Sequence, residues 1–382
     1  MSMKVLVCDM CMTGVGHVYF NSAFIKILSD VYCDDILFYA DRTHANNVVN
    51  NVQSPRLTAK GVKVFCPSGW KIVVADIWNA LLLIYIMLKD SKKYKSIYIL
   101  NRLPITMLAG TIANFILGKK MYNVIHGEIE YLVNPSITGY SKYYSRLFML
   151  SYRISTKRNT FIVLGESIYR AITSKAISFG KGNVIVIDHP YDYNYTSNNV
   201  KLPDTGYYMI GCIGLATKRK NSHYLFELRD HLHSEHIKLL ITGQLSSDMG
   251  EVYDLSGISY HKEKLSSEVF EREIKELDYS LCFYDDTINL ALASGSFFDS
   301  IKYLKPILAL KGNPFVDYYF EKLGNIGYQF DSISEMAAFL NSLSDTERDN
   351  YKNQVEQMKK AQRTLSLSSI TNSFREQLNA RS

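Results

Sequence analysis

Short apolar runs alternate with helix-length amphipathic segments along most of the chain. Runs such as Lys4–Cys8 and Ser96–Leu100 are bounded by polar or glycine residues and have the length of buried strands. The segments between them, such as Tyr19–Leu28 and Thr106–Leu117, carry apolar residues at helical spacing. This alternation is typical of repeated βα units and predicts parallel sheets covered by helices.

The alternation occurs in two series. The first predicts strands at Lys4–Cys8, Ile36–Ala40, Val62–Cys66, Ser96–Leu100, Met121–His126, Phe161–Leu164 and Val184–Ile187. The second predicts strands at Tyr208–Ile213, Lys238–Thr242, Ile258–His261, Ser280–Phe283, Ile307–Leu310 and Gly327–Phe330. The segment between them is rich in turn formers and has no sustained hydrophobic period, so it predicts a linker.

We therefore predict an α/β fold of two doubly wound, Rossmann-like domains facing a cleft. The expected N-terminal domain is 1–190, the linker 191–205 and the C-terminal domain 206–344. Residues 345–382 form a helical tail, which we expect to pack back on the N-terminal domain. A length of 382 residues agrees with two domains, because single cores usually stop growing at roughly 250–300 residues. Ligands of such folds bind at the carboxyl ends of the strands, which makes the cleft the expected site.

Charge is distributed unevenly along the chain. Residues 1–190 carry a net charge of +11 and residues 191–382 a net charge of −5. A basic N-terminal half favours an anionic partner, such as membrane lipid or an anionic acceptor. Nucleic acid is not an expected partner, since no recognised nucleic-acid-binding module accompanies the charge.

The longest apolar segments, Ile72–Leu88 and Met107–Leu117, are shorter than the roughly 20 residues of a membrane-spanning helix, and we predict that they are buried helices. The N-terminus lacks the layout of a signal peptide, so we expect a cytoplasmic protein. The basic and aromatic stretch Ser141–Arg158 suits either the interface of an anionic membrane or the protein's own core. Peripheral contact with the inner face of the plasma membrane is therefore a further expectation.

Two cysteines, Cys8 and Cys11, have CxxC-like spacing. No second pair or histidines complete a zinc site, so we predict reduced thiols and no metal.

The loop after the first predicted strand contains Gly14, Gly16 and His17. The glycines allow a ligand to approach the backbone, and the following helix start offers N–H groups to an anion. His17 is a candidate catalytic residue, and an ordinary turn with a hydrogen-bonded histidine is the alternative. The third glycine of the dinucleotide fingerprint is missing, so a nicotinamide cofactor is not expected.

Three consecutive cations, Lys218, Arg219 and Lys220, follow the first strand of the second series. They place positive charge at a strand-to-helix turn, where a pyrophosphate would also meet the helix terminus. A solvent-exposed basic turn is the alternative.

A second anion-binding turn is predicted at Ser294, Gly295 and Ser296, at a helix start. Asp299, one turn into that helix, either accepts hydrogen bonds from a ribose or complements the helix N-terminus.

In the first domain, His126, Gly127 and Glu128 end a predicted strand and should face the cleft. Histidine and glutamate suit proton transfer or hydrogen bonding to sugar hydroxyls, and His126 is equally suited to a structural hydrogen bond.

The order of the motifs in the second domain resembles the donor domain of GT-B glycosyltransferases, especially the family 4-like (group 1) bacterial polysaccharide enzymes. The shared features are the glycine turn that ends in Lys220, the strand that ends in Gly243, and the acidic helix start and Lys-Pro of Asp299–Leu308. The positions of the family's two paired acidic residues are occupied here by Ala291 and Asp299, so only the second acid is present. The position of the family's arginine is occupied here by Leu215, and Lys218 and Arg219 offer the positive charge instead.

This resemblance implies sugar transfer from a nucleoside diphosphate donor, a UDP-sugar above all, to a glycan or lipid-linked acceptor of a bacterial surface polysaccharide. It implies that the cationic turn stabilises the leaving diphosphate without a metal or a separate cofactor. His126 would contact the donor sugar in a retaining enzyme or act as a base in an inverting one. A sugar-nucleotide epimerase and a catalytically inactive GT-B glycan-assembly protein are the alternatives.

Overall fold

Parallel strands and the helices that connect them account for most of the chain. The computed structural model describes residues 4–67, 69–90, 92–194, 207–250, 252–343 and 347–381. Unit 1 comprises Met1–Asp192, Ala291–Ala293 and Leu365–Ser382, and unit 2 comprises Tyr193–Leu290 and Ser294–Thr364. From residue 195 onward the predicted linker lies outside the described residues, as does the predicted boundary at 344.

Unit 1 contains a parallel sheet with the described strands in the order β3-β2-β1-β4-β5-β6-β7. Its strands are β1 (Lys4–Asp9), β2 (Ile36–Asp41), β3 (Leu57–Val62), β4 (Tyr94–Asn101), β5 (Lys120–Ile125), β6 (Asn159–Leu164) and β7 (Asn183–Ile187). Its first helices are α1 (Val18–Tyr32), α2 (Arg42–Val52), α3 (Lys71–Lys89), α4 (Pro104–Leu117), α5 (Glu128–Val133), α6 (Gly139–Arg153) and α7 (Glu166–Ser174).

Alternate residues of a strand in unit 1 enter the two apolar layers that cover the sheet. Val5 and Val7 of β1 pack with Phe24 of α1 in one buried cluster. Leu6 and Cys8 belong to the cluster on the other face, which includes side chains of α3 and α4. A strand buried on both faces reads as a continuous apolar run, which is why β1 was recognisable from sequence.

The third strand differs from its prediction. It is Leu57–Val62, and the apolar run Val62–Cys66 continues as irregular chain beyond it. The side chain of Asn79 replaces a neighbouring strand there: Phe65 N donates to Asn79 Oδ1 (3.2 Å), and Asn79 Nδ2 donates to Phe65 O (2.7 Å). Because β3 is an edge strand with one exposed face, its sequence is more polar than the run that follows it.

Unit 2 contains a second parallel sheet with the described strands in the order β10-β9-β8-β11-β12-β13. Its strands are β8 (Tyr208–Ile213), β9 (Ile237–Thr242), β10 (Ile258–Ser259), β11 (Tyr279–Cys282), β12 (Ile307–Leu310) and β13 (Gly327–Phe330). Its helices are α8 (Tyr224–Asp230), α9 (Ser247–Gly250), α10 (Ser267–Glu276), α11 (Gly295–Lys302), α12 (Pro314–Leu323), α13 (Ile333–Asn341) and α14 (Arg348–Thr364). The predicted α/β class with two doubly wound sheets is confirmed.

The C-terminal tail divides between the two units. Helix α14 packs on α11 and α12 of unit 2, where Gln362 Nε2 donates to Ile301 O (3.0 Å) and Lys302 O (2.8 Å). The last helix, α15 (Leu367–Asn379), packs on α1 and β7 of unit 1. There Gln377 donates to Val186 O (2.7 Å) and accepts from Val186 N (3.2 Å).

Strand order reverses beside the first strand of each sheet. In unit 1, β1 lies between β2 and β4, and in unit 2, β8 lies between β9 and β11. Loops that leave the carboxyl ends of these strands diverge and open a crevice, which is where ligands of open α/β sheets bind.

Candidate functional site

The crevice of unit 2 opens between the loops that follow β8 and β11. The turn after β8 also touches the turn after β9, through two glycines. Gly214 N donates to Thr242 O (2.7 Å). Gly243 has a φ of 136°, and a Cβ at this position would lie 2.3 Å from Gly214 O. Only glycine fits at residue 243, so the predicted strand-end glycine sets the spacing of the two turns.

The three predicted cations lie in a 3₁₀ turn after Gly214. Thr217 Oγ1 caps this turn by accepting a hydrogen bond from Lys220 N (3.2 Å). Lys218 and Arg219 are exposed, whereas Lys220 is half-buried and points towards the crevice. Its Nζ lies 3.9 Å from the place that a Cβ on Gly214 would occupy.

Burial lowers the pKa of Lys220, and the Asp299 carboxylate offsets part of this effect. Lys220 and Ser296 line one small cavity, together with Cys212, Leu215, Ser222 and Tyr284. The structure therefore brings one predicted cation and part of the predicted serine turn together at the switch point. Lys218 and Arg219 lie at its solvent side.

The predicted serine turn is the start of α11. Ser294 caps the helix: its Oγ accepts a hydrogen bond from Phe297 N (3.3 Å). The same Oγ lies 3.0 Å from both Ser296 Oγ and Tyr284 Oη. Open space surrounds the α-carbon of Gly295, where a Cβ would meet no atom within 4 Å. An anion can thus reach the first N–H groups of the helix. Sequence reasoning missed Tyr284, which holds the capping serine.

In unit 1, a buried carboxylate holds the loop that contains Gly14 and Gly16. Asp9, the last residue of β1, accepts hydrogen bonds from Met12 N (2.8 Å), Asn21 Nδ2 (2.6 Å) and Asn101 Nδ2 (2.7 Å). These donors give both carboxylate oxygens hydrogen-bond partners in this buried position. None of these side chains was predicted, although Asp9 and Asn101 are polar residues at the ends of apolar strands.

A histidine of α2 holds the same loop from its other side. His44 Nδ1 donates to Gly14 O (3.3 Å), and its Nε2 accepts from Asn21 Nδ2 (2.7 Å). The neutral tautomer with its proton on Nδ1 satisfies both bonds. Asn47 Nδ2 also donates to Gly14 O (3.2 Å). The glycine loop is therefore fixed by side chains beneath it.

The structure brings His17 and His126 together. Their ring centroids are 4.4 Å apart, and His126 also packs 4.4 Å from the ring of Phe20 and 5.7 Å from that of His189. Burial lowers the pKa of His17 and lowers that of His126 well below its ordinary value. Among the described residues, His126 Nδ1 is buried without a hydrogen-bond partner. Both rings are therefore neutral near pH 7 and able to accept a proton or a hydrogen bond.

Glu128 forms a buried ion pair. Its Oε1 accepts from Arg102 Nη2 (2.7 Å), and its Oε2 accepts from His126 N (2.7 Å). Both oxygens thus bind partners within unit 1, and the geometry supports a positioning role for Glu128 towards His126. Arg102 was not singled out in the sequence.

The cysteine that lies beside Cys11 is not the one that the CxxC-like spacing suggested. Cys8 is a core thiol, whereas Cys11 Sγ lies 3.3 Å from Cys66 Sγ. Within the described ranges, no group of three or more His, Cys, Asp or Glu side chains has the geometry of a metal site.

The basic and aromatic stretch 141–158 includes most of α6. Phe148 and Tyr152 are buried in the apolar cluster of unit 1. Tyr143 is exposed and has the guanidinium of Arg146 4.9 Å from its ring centroid. One face of this helix therefore packs on the protein's own core, and the other faces solvent.

No protein-family model and no curated protein sequence matches this chain. Solved structures do match it. HepE of Anabaena in complex with UDP superposes with a TM-score of 0.69 at 13% identity, over 99% of this chain and 100% of that chain. Sucrose-phosphate synthase of Thermosynechococcus elongatus gives 0.68 at 12% identity, over 100% of both chains. WaaG, a glycosyltransferase involved in lipopolysaccharide biosynthesis, gives 0.62 at 12% identity, over 97% and 98%. The chain has the GT-B fold, as its motifs predicted.

Proposed function

We propose that this GT-B chain is a glycosyltransferase that uses a nucleoside diphosphate sugar, with a UDP-sugar as the favoured donor. The observation that carries the proposal is the half-buried Lys220 beside the serine turn of α11, at the switch point of unit 2. A cation and a helix N-terminus at one place suit a pyrophosphate. Structures of HepE with UDP and with UDP-glucose, at 13% identity, support the choice of donor.

Charge stabilisation is the task of this site. When the bond between the sugar and the β-phosphate breaks, negative charge develops on the leaving diphosphate. Lys220 and the N–H groups at the start of α11 stabilise it directly, and Lys218 and Arg219 add positive charge from the solvent side. Because these groups supply the charge, we propose transfer without a metal or a separate cofactor. Asp299 is assigned to the ribose hydroxyls.

Neutral imidazoles supply the acceptor chemistry of unit 1. His17 and His126 accept a hydrogen bond or a proton from a sugar hydroxyl, and the Arg102–Glu128 pair holds His126 in place. The acceptor is assigned as a glycan or lipid-linked oligosaccharide of a bacterial surface polysaccharide, at the cytoplasmic side of the plasma membrane. The fold shared with WaaG supports this assignment.

Nucleotide release tests the proposal. The full chain is incubated with UDP-, GDP- and TDP-sugars, with and without a bacterial membrane extract as acceptor. Release of UDP that depends on the extract is expected. Interconversion of sugar nucleotides without release would indicate an epimerase, and donor binding without turnover would indicate an inactive assembly protein; either result overturns the proposal.

A charge variant tests the site itself. Lys220→Gln should lower UDP release by about 10- to 100-fold, the effect of losing one charge-assisted contact of about 1.5–3 kcal/mol. The matched control is Lys352→Gln, since Lys352 lies on α14 and pairs with Asp349. Equal release by Lys220→Gln and the wild type would contradict the assignment of Lys220 to the diphosphate.

A further inference from the structure

Helix α3 buries one face and exposes an apolar one. Ala75, Leu83 and Met87 face the core of unit 1. The outward side chains are large and apolar and recur at helical spacing: Val74, Ile77, Trp78, Leu81, Tyr85 and Leu88, with Trp70 just before the helix. The prediction that this segment is a buried helix is therefore wrong for its outer face.

The neighbouring helix extends this exposed surface. Helix α4 packs against α3 and presents Ile112, Phe115 and Ile116, of which Phe115 is 74% and Ile116 81% exposed. We call the outward residues of α3 and α4, with Trp70, the apolar face. Soluble monomers rarely expose contiguous apolar patches beyond a few hundred Å², so such a face indicates a binding surface.

The exposed charged side chains between residues 63 and 120 have one sign. Exposed lysines flank both helices: Lys63, Lys71, Lys89, Lys92 and Lys120. Lys93 is exposed as well but is ion-paired with Asp90 (2.7 Å). The carboxylates between residues 63 and 120 are Asp76 and Asp90, and both are buried. A partner that covers this face must therefore be apolar at its centre and anionic at its edge.

From this pattern we infer that the apolar face docks into the surface of an anionic phospholipid bilayer. Leu81, Phe115 and Ile116 enter the acyl boundary, aromatic rings lie at headgroup level, and lysines meet the lipid phosphates. The surface differs from the basic stretch 141–158 that the sequence suggested. The inference does not depend on the proposed sugar transfer.

The helix lies in the plane of the membrane. Among the described helices, α3 is the one long and apolar enough to cross a bilayer. Its buried side, however, holds the fold of unit 1: Asp76 accepts hydrogen bonds from Ile105 N (2.6 Å) and Thr106 N (2.8 Å) at the start of α4. A spanning orientation would break these bonds and expose the core, whereas an in-plane orientation keeps both.

Vesicle flotation of the full chain tests this inference. The wild type should float with vesicles of phosphatidylcholine and phosphatidylglycerol, and much less with phosphatidylcholine alone or in high salt. The double variant Leu81→Ser/Ile116→Ser should bind the anionic vesicles about tenfold more weakly or worse. Both changes are at exposed positions, and an unchanged melting temperature verifies the fold.

A matched control replaces an exposed apolar residue of unit 2. Val252→Ser, at a side chain that is 61% exposed, should float like the wild type. Equal flotation of the double variant and the wild type would overturn the inference. The inference would also be overturned if the wild type did not bind vesicles but self-associated, and the double variant did not self-associate. A second copy of the chain would then cover the apolar face.

Discussion

Burial distinguishes residues that look alike in the sequence. Lys218, Arg219 and Lys220 are consecutive cations, yet the 3₁₀ turn directs Lys220 alone into the crevice. His17 and His126 are far apart in the sequence and meet at 4.4 Å. In both cases the protein environment lowers the pKa, because burial disfavours the charged form.

The pH dependence of UDP binding follows from Lys220. An ammonium group with a lowered pKa loses its proton below the ordinary value of 10.5. We expect UDP affinity to fall as pH rises through this lowered pKa, hence before pH 10.5 is reached. Calorimetric titrations from pH 7 to 10 measure this. In Lys220→Gln this loss of UDP affinity at high pH should disappear. A loss of the same size in that variant would show that another group titrates.

The pH profile of turnover follows from the histidines. An imidazole must be neutral to accept a proton, and burial lowers the pKa of both His17 and His126 below 6.5. Activity should therefore persist as pH falls through 6.5 and decline only at lower pH. His126→Gln should lower kcat about 100-fold or more, the range of general acid–base effects.

Profiles of kcat/KM between pH 4.5 and 8 measure this effect. The control is His233→Gln, at an exposed position of unit 2. An acid limb centred at or above 6.5 would argue against catalysis by these buried rings.

At the scale of elements, the contact between the turns after β8 and β9 holds the β8 side of the crevice of unit 2 in place. Gly243→Ala places a Cβ against Gly214 O and imposes a φ that side chains rarely adopt. The backbone conformation alone costs on the order of 1–3 kcal/mol, and the clash adds to it. We expect faster hydrogen exchange in β8 and β9 and weaker UDP binding.

Gly250→Ala is the matched control, because a Cβ there meets Leu245 Cδ2 at an ordinary 3.5 Å. Hydrogen-exchange mass spectrometry of peptides that cover both strands makes the comparison. Equal exchange in the two variants would show that the turns do not depend on this close approach.

Strands and helices differ in how far the sequence defines them. The continuous apolar runs of β1, β8 and β12 have one structural interpretation, and each was predicted within a residue. Helix α3 is apolar on nearly every side, so its pattern does not show which face packs. The edge strand β3 was misplaced because side-chain bonds from Asn79 support the more apolar run after it.

For the whole molecule, the order of motifs predicted the GT-B fold, and the superposed structures confirm it at 12–13% identity. The candidate site was predictable only in part. Loop residues at strand ends, such as Gly243 and the serine turn, have local signatures. The network of Asp9, Asn21 and Asn101 joins residues up to 92 positions apart, and no local pattern reveals it.

Calorimetric titration of the full chain with UDP tests the central claim most directly. Saturable binding to one site is expected, with affinity about 10- to 100-fold weaker in Lys220→Gln and unchanged in Lys352→Gln. A wild-type chain that binds no UDP, or a Lys220→Gln variant that binds it equally well, would contradict the account of a nucleotide-sugar site at the switch point of unit 2.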